Sequence, residues 1–247
     1  MTFDAHPRSS LIVALDFDSL SSAVKFAKQV ADLVGLFKIG SQLFTAAGPA
    51  VVKEIAALGP GIFLDLKFHD IPNTVAGAVL SSAAMNGVQL VNVHALGGSA
   101  MMKAAAQAIS AGVPLGMDRP RLLAVTILTS MDQKATREVG ISGSPKSSVA
   151  KLAKLAKSSG VDGVVASVQE AKAIRKVCGR DFLIVTPGVR PKEKGASSKD
   201  DDQARTATPT EAIRAGADYI VVGRPILAAE DPRAAAQAIV DEIAAAK

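Results

Sequence analysis

Between positions 62 and 74 the chain reads Ile-Phe-Leu-Asp-Leu-Lys-Phe-His-Asp-Ile-Pro-Asn-Thr, so that Asp65, Lys67 and Asp70 interrupt an otherwise apolar run. On an extended backbone residues two apart face the same side, which places Asp65 and Lys67 together. A carboxylate and an ammonium in such a setting are costly to bury unpaired, so they need partners. Lys38, flanked by Phe37 and Ile39, is in the same position. Lys38 and Lys67 against Asp65 and Asp70 give a balanced network with two charges of each sign. The residues alone leave its use open: a structural salt-bridge cluster, an oxygen-ligated Mg²⁺ site through Asp65 and Asp70, or a preorganised charge array for catalysis.

A second chemical signature lies further on, in Thr186-Pro187-Gly188-Val189-Arg190 and Val222-Gly223-Arg224-Pro225. Glycine lets backbone N–H groups approach phosphate oxygens, a following helix N-terminus adds positive potential, and arginine adds paired donors. Asn92 and His94 in Val-Asn-Val-His, and Thr126, Thr129 and Ser130, add uncharged polar groups. The three histidines show no HxxxH or HxxE spacing, so a histidine-based metal centre is not expected, and His69 and His94 read as hydrogen-bonding groups.

These residues need elements to hold them. Eight short, near-continuous hydrophobic runs occur at 11–15, 36–39, 62–66, 90–93, 122–128, 161–166, 182–185 and 219–222. Continuous rather than alternating apolar character is the mark of parallel strands covered on both faces. Stretches of helical character lie between them, for example at 21–33, 51–58, 75–85, 149–156, 168–177 and 234–245. Strand starts are about 21 to 39 residues apart, the spacing of successive βα units. Eight units in 247 residues predict a single-domain (β/α)₈ TIM barrel spanning 1–247 rather than two small domains. An open doubly wound sheet would carry a glycine fingerprint after its first strand, whereas this strand ends Ala-Leu-Asp-Phe-Asp. In a barrel the polar residues at the C-terminal strand ends form the site, and the loops after strands seven and eight bind phosphate.

Composition removes several classes. No Trp, one Tyr and eight Phe leave few platforms for stacking single-stranded nucleic acid, and the 28 basic and 23 acidic residues are interspersed despite the net +5. A basic nucleic-acid-binding protein is therefore the weaker, non-enzymatic reading. The single Cys178 allows no internal disulfide and is typical of an intracellular thiol. The apolar stretch at 11–15 is too short for a signal-peptide core, and polar residues interrupt the uncharged stretch at 71–102 too often for a membrane span. A cytoplasmic location without membrane contact is expected.

The segment DLKFHDIPNT at 65–74 resembles the hallmark D-x-K-x-x-D element of the orotidine 5′-phosphate decarboxylase family. Similar landmarks follow that family's order as LIVALD, FKIGSQLF, VNVHALGG, AVTILTSM, DGVVAS, VTPGVRP and ADYIVVGRP, over nearly the whole chain. The resemblance implies decarboxylation of orotidine 5′-monophosphate to UMP and CO₂, the last step of UMP synthesis, with no cofactor and no metal. It implies that Asp16 and Lys38 bind the ribose hydroxyls and join the charged network, and that Asp65 and Lys67 flank the reacting carbon. Asp70, Ile71 and Thr74 would enter the site across a homodimer interface. Thr129 and Ser130 would contact the pyrimidine, while Arg190, Gln203, Gly223 and Arg224 would hold the phosphate under a mobile loop at 191–202. Related sugar-phosphate decarboxylases and synthases share the D-x-K-x-x-D element but use Mg²⁺ and carry an acidic residue where Lys38 stands. Lys38 thus separates the two readings.

Overall fold

In the computed structural model, which describes residues 6–113, 116, 118–191 and 206–247, the eight hydrophobic runs pair in parallel, each with the next and the eighth with the first. The chain runs β1 (Leu11–Ala14), α1 (Leu20–Val30), β2 (Leu36–Gly40), α2 (Ser41–Ala47), α3 (Ala50–Ala56), β3 (Gly61–Phe68), α4 (Pro72–Ala83), β4 (Val88–His94), α5 (Gly98–Gly112) and β5 (Arg121–Val125). It continues α6 (Gln133–Glu138), α7 (Pro145–Ser158), β6 (Gly163–Val165), α8 (Val168–Cys178), β7 (Leu183–Thr186), α9 (Pro209–Ala215), β8 (Tyr219–Val222), α10 (Arg224–Leu227) and α11 (Pro232–Ala246). The result is the expected closed (β/α)₈ barrel.

The unbroken hydrophobicity of the strands serves two cores. Alternate residues such as Ile12, Leu36, Phe63, Leu90, Leu123, Leu183, Val185 and Val221 point inward and plug the barrel axis. Their neighbours, including Leu11, Val13, Phe37, Ile62, Leu64, Val91, Val93 and Ile184, pack outward under the helices. Several helices begin at a side chain that caps them: Ser19 before α1, Ser144 before α7, Ser167 before α8 and Asp231 before α11. Thr208 and Glu211 form a reciprocal capping box on α9. Each cap accepts a backbone N–H that would otherwise lack a partner in the first turn.

Two charged staples lock the N-terminal ends of the later strands. Asp162 accepts the backbone N–H of Leu122 at 2.8 Å and pairs with Arg119 and Arg121. Asp218 accepts the N–H of Ile184 at 2.7 Å and pairs with Arg175, whose guanidinium also donates to the carbonyls of Gly179, Arg180, Phe182 and Gly216.

Helices α2, α5, α6, α9 and α10 lie outside the stretches named above as examples of helical character. Four of these five are at most seven residues long, too short for a clear helical period, and α5 is dominated by Gly, Ala and Ser. The expected closing loop at 191–202 falls almost entirely outside the described residues.

Candidate active site

The interior positions change character near the C-terminal end of the barrel. Above the apolar plug, β2 presents Lys38, β3 presents Asp65 and Lys67, β4 presents Asn92, and Asp16 follows β1. Register explains the meeting: Ala14 lies opposite Lys38 and Gly40 opposite Asp65, so residues distant in sequence reach one level of the barrel. The Lys38 ammonium sits between Asp16 at 3.2 Å and Asp65 at 3.4 Å, and Lys67 pairs with the other oxygen of Asp65 at 2.7 Å. Charges therefore alternate as Asp16, Lys38, Asp65, Lys67. Burial works against the Lys38 charge, but Asp65 and Asp16 outweigh it and hold the ammonium above the ordinary lysine value.

Strand β3 is not regular where it carries these groups. Leu64 pairs with Val91 and Phe68 with Val93, so β3 spends four steps where β4 spends two. Lys67 lies inside this bulge at φ +54°, the one non-glycine residue with positive φ among the described residues. Left-handed backbone costs an L-residue on the order of 1–2 kcal/mol. Asn92 stands opposite the bulge, fully buried, accepting the Lys67 backbone N–H at 2.8 Å and donating to Asp65 Oδ1 at 2.6 Å. Beyond it, the rings of His94 and His69 lie 5.5 Å apart; burial, then His69 and Lys67, lower the His94 pKa and favour its neutral form.

A cavity of about 310 Å³ opens over this array. Asp16, Lys38, Asp65, Lys67, Thr129, Ser130, Arg190, Gly223 and Arg224 all line it, as do Val125, Ile127, Val165 and Pro187. The charged groups lie with the β1–β3 side, Thr129 and Ser130 follow β5, and the two arginines follow β7 and β8. This is a mostly apolar cleft with a few convergent polar groups, within the usual size for a small-molecule site of roughly 300–1,000 Å³. Among the described residues, no three His, Cys, Asp or Glu side chains form a group that could hold a metal ion.

The expected four-member network needs one correction. Within one chain its fourth member is Asp16, not Asp70. The bulge ends β3 at Phe68, and the turn into α4 carries Asp70 to the surface, where its carboxylate accepts the N–H of Ile71 at 2.6 Å. Ile71 and Thr74 are likewise exposed and do not line the cavity. Gln203 lies outside the described residues. Asn92 entered the sequence reading only as a polar residue of the fourth strand; its role depends on a register shift that no local pattern announces. Gly40 was missed for a similar reason: a Cβ there would stand 3.0 Å from Lys38 Nζ.

Residues 9–239 match the family model described as orotidine 5′-phosphate decarboxylase / HUMPS. The chain belongs to this family. An orotidine 5′-phosphate decarboxylase from Syntrophotalea carbinolica is 53% identical over 240 residues, covering 97% of this chain and 96% of that one. One from Geotalea daltonii is 53% identical over 238 residues, with 96% and 97% covered. Among solved structures, the orotidine 5′-phosphate decarboxylase of Lactobacillus acidophilus superposes with a TM-score of 0.83 at 43% identity, covering 94% of this chain and 98% of that one. The family name spans more than one activity, and the relatives at about half identity carry the decarboxylase name.

Proposed function

We propose that this protein decarboxylates orotidine 5′-monophosphate to UMP and CO₂, completing UMP synthesis, without cofactor or metal. The observation that carries the reading is the Asp16–Lys38–Asp65–Lys67 array at one side of a cavity whose other side holds Arg190 and Arg224. Loss of CO₂ from C6 leaves an electron pair in the ring plane, out of reach of the π system. Stabilisation must then be electrostatic, and a fixed ammonium serves best. Lys67 stabilises the developing carbanion and gives its proton to C6, which forms UMP and leaves a neutral amine to be reprotonated from water. Asp65 anchors Lys67, and Lys38 with Asp16 takes the ribose hydroxyls. Thr129 and Ser130 hold the pyrimidine; Arg190, Gly223, Arg224 and Gln203 hold the phosphate. Phosphate binding, remote from C6, supplies energy to close the loop at 191–202 and assemble the site.

The catalytic unit in this reading is a cytoplasmic homodimer. Asp70, Ile71 and Thr74 of a second copy complete each site, a role suited to the 66% exposure of Ile71 and to Leu96 and Leu128, exposed on the two following βα loops. No helix among the described residues is long and apolar enough to cross a membrane. A Mg²⁺-dependent sugar-phosphate activity is disfavoured because the Lys38 ammonium already occupies the space between Asp16 and Asp65, and a metal there would have to displace it. Purified protein is expected to deplete the ultraviolet absorbance of orotidine 5′-monophosphate and release CO₂ in the presence of EDTA. Absence of turnover above background rejects the reading, and activity abolished by chelation favours the sugar-phosphate alternative.

A further inference from the structure

Resting on the decarboxylase reading, we infer that Asn92 is the positioning residue that holds Asp65 and Lys67 in their reactive arrangement. Its side chain is fully buried and both halves of its amide are engaged. The Lys67 backbone N–H can only donate, so the oxygen of the amide faces it at 2.8 Å, and the NH₂ then faces Asp65 Oδ1 at 2.6 Å. That same carboxylate oxygen receives Lys67 Nζ at 2.7 Å. Asp65 is thus pinned from two directions through one oxygen, which leaves Oδ2 turned to Lys38 at 3.4 Å.

The backbone contact matters as much as the carboxylate contact. The register skips from Leu64 opposite Val91 to Phe68 opposite Val93, so the β4 ladder offers Lys67 no regular partner. The Asn92 side chain takes that place. Without it, a backbone N–H at the bulge loses its acceptor, and Lys67 loses the bond that offsets its left-handed conformation at φ +54°. A relaxed β3 would carry the ammonium away from its place by a distance that electrostatic catalysis does not tolerate. Few side chains can substitute. The role needs an acceptor and a donor on one short planar group, which asparagine has and an ionised aspartate lacks.

Asn92→Ala is expected to lose roughly 10- to 100-fold in kcat toward orotidine 5′-monophosphate, with KM within about threefold of the parent because pyrimidine and phosphate contacts lie elsewhere. Rates are taken per competent site, counted by calorimetric titration with UMP. Asn92→Asp keeps the acceptor for Lys67 but, when ionised, sets a carboxylate against Asp65. When protonated, the substituted carboxyl can donate as the amide did. Its kcat relative to the parent is therefore expected to be lowest at alkaline pH and to recover as pH falls, a change in profile that a purely structural role would not produce. Asn92→Ala with kcat within twofold of the parent, or Asn92→Asp with a profile parallel to the parent's, overturns the inference. So does failure of both variants to fold, which would make Asn92 a structural residue only. A parent protein with no turnover overturns the decarboxylase reading instead, and the two failures are distinct because this inference is read from variant-to-parent ratios.

Discussion

A single ammonium, that of Lys67, carries the proposed chemistry, and its removal is the sharpest residue-level test. Lys67→Ala is expected to lose at least 10²- to 10⁴-fold in kcat, the usual worth of a placed proton donor, while still binding UMP through groups it does not touch. A Lys67→Ala enzyme that keeps substantial kcat refutes the proton-donor role. Lys38 makes a different prediction. Its folded-state pKa lies above the ordinary value of 10.5 because Asp65 and Asp16 outweigh burial. A raised pKa stabilises the fold at pH below the unfolded value, and that contribution disappears as pH climbs through the folded value. The stability gap between the parent and Lys38→Met, measured as urea midpoints, should therefore be constant near neutrality and narrow above about pH 10.5. A gap that widens with alkalinity contradicts the assignment. Residue types and spacing were enough to find both lysines and Asp65, since charges inside hydrophobic runs demand partners. They were not enough to rank Asp16 above Asp70, which depends on where β3 stops.

At the level of elements, the two ends of the barrel do different work. The Arg175–Asp218 staple ties α8 and the segment after it to β7 and β8, at the end away from the cavity. Burial raises the Asp218 pKa, and the Ile184 N–H and Arg175 work against that rise. Arg175→Met removes donors to several carbonyls and leaves Asp218 without its counter-ion. A destabilisation of about 2–3 kcal/mol is expected in denaturant melts, with kcat unchanged at assay temperature. A drop in kcat without loss of stability would show that the two ends are coupled. The elements themselves were largely legible: all eight strands fall where unbroken apolar runs place them, to within a few residues. What stayed hidden was the bulge. Asp65 and Lys67 do share a face, as an ideal strand predicts, but they do so in a distorted strand whose extra length is compensated by an amide on its neighbour.

For the molecule as a whole, the proposed site is composite. If Asp70 of one copy serves the site of the other, Lys67→Ala and Asp70→Ala should each be nearly inactive alone. Mixed and allowed to exchange, they should recover about a quarter of parental activity, because half the dimers are hybrid and each hybrid holds one site with neither defect. No recovery in a mixture shown to exchange subunits contradicts the shared site. The barrel could be inferred from eight βα units in one chain, but a surface for a second copy leaves no periodic signature; the proposed one rests on Ile71, Leu96 and Leu128, whose exposure depends on how the βα loops fold.

The bulge in β3 also sets a rule of parity. Because it adds two residues rather than one, Leu64, Leu66 and Phe68 stay on the outer layer while Phe63, Asp65 and Lys67 stay on the axis. A one-residue deletion or insertion there would exchange the two layers, driving charge beneath the helices and leaving apolar side chains over the cavity. Deletion of Leu66 and Lys67 together would keep the pattern and still allow a closed barrel, but with the ammonium gone. Through this stretch, the chain can change length without losing its fold only in steps of two, and the step that takes out Lys67 would take the proposed chemistry with it.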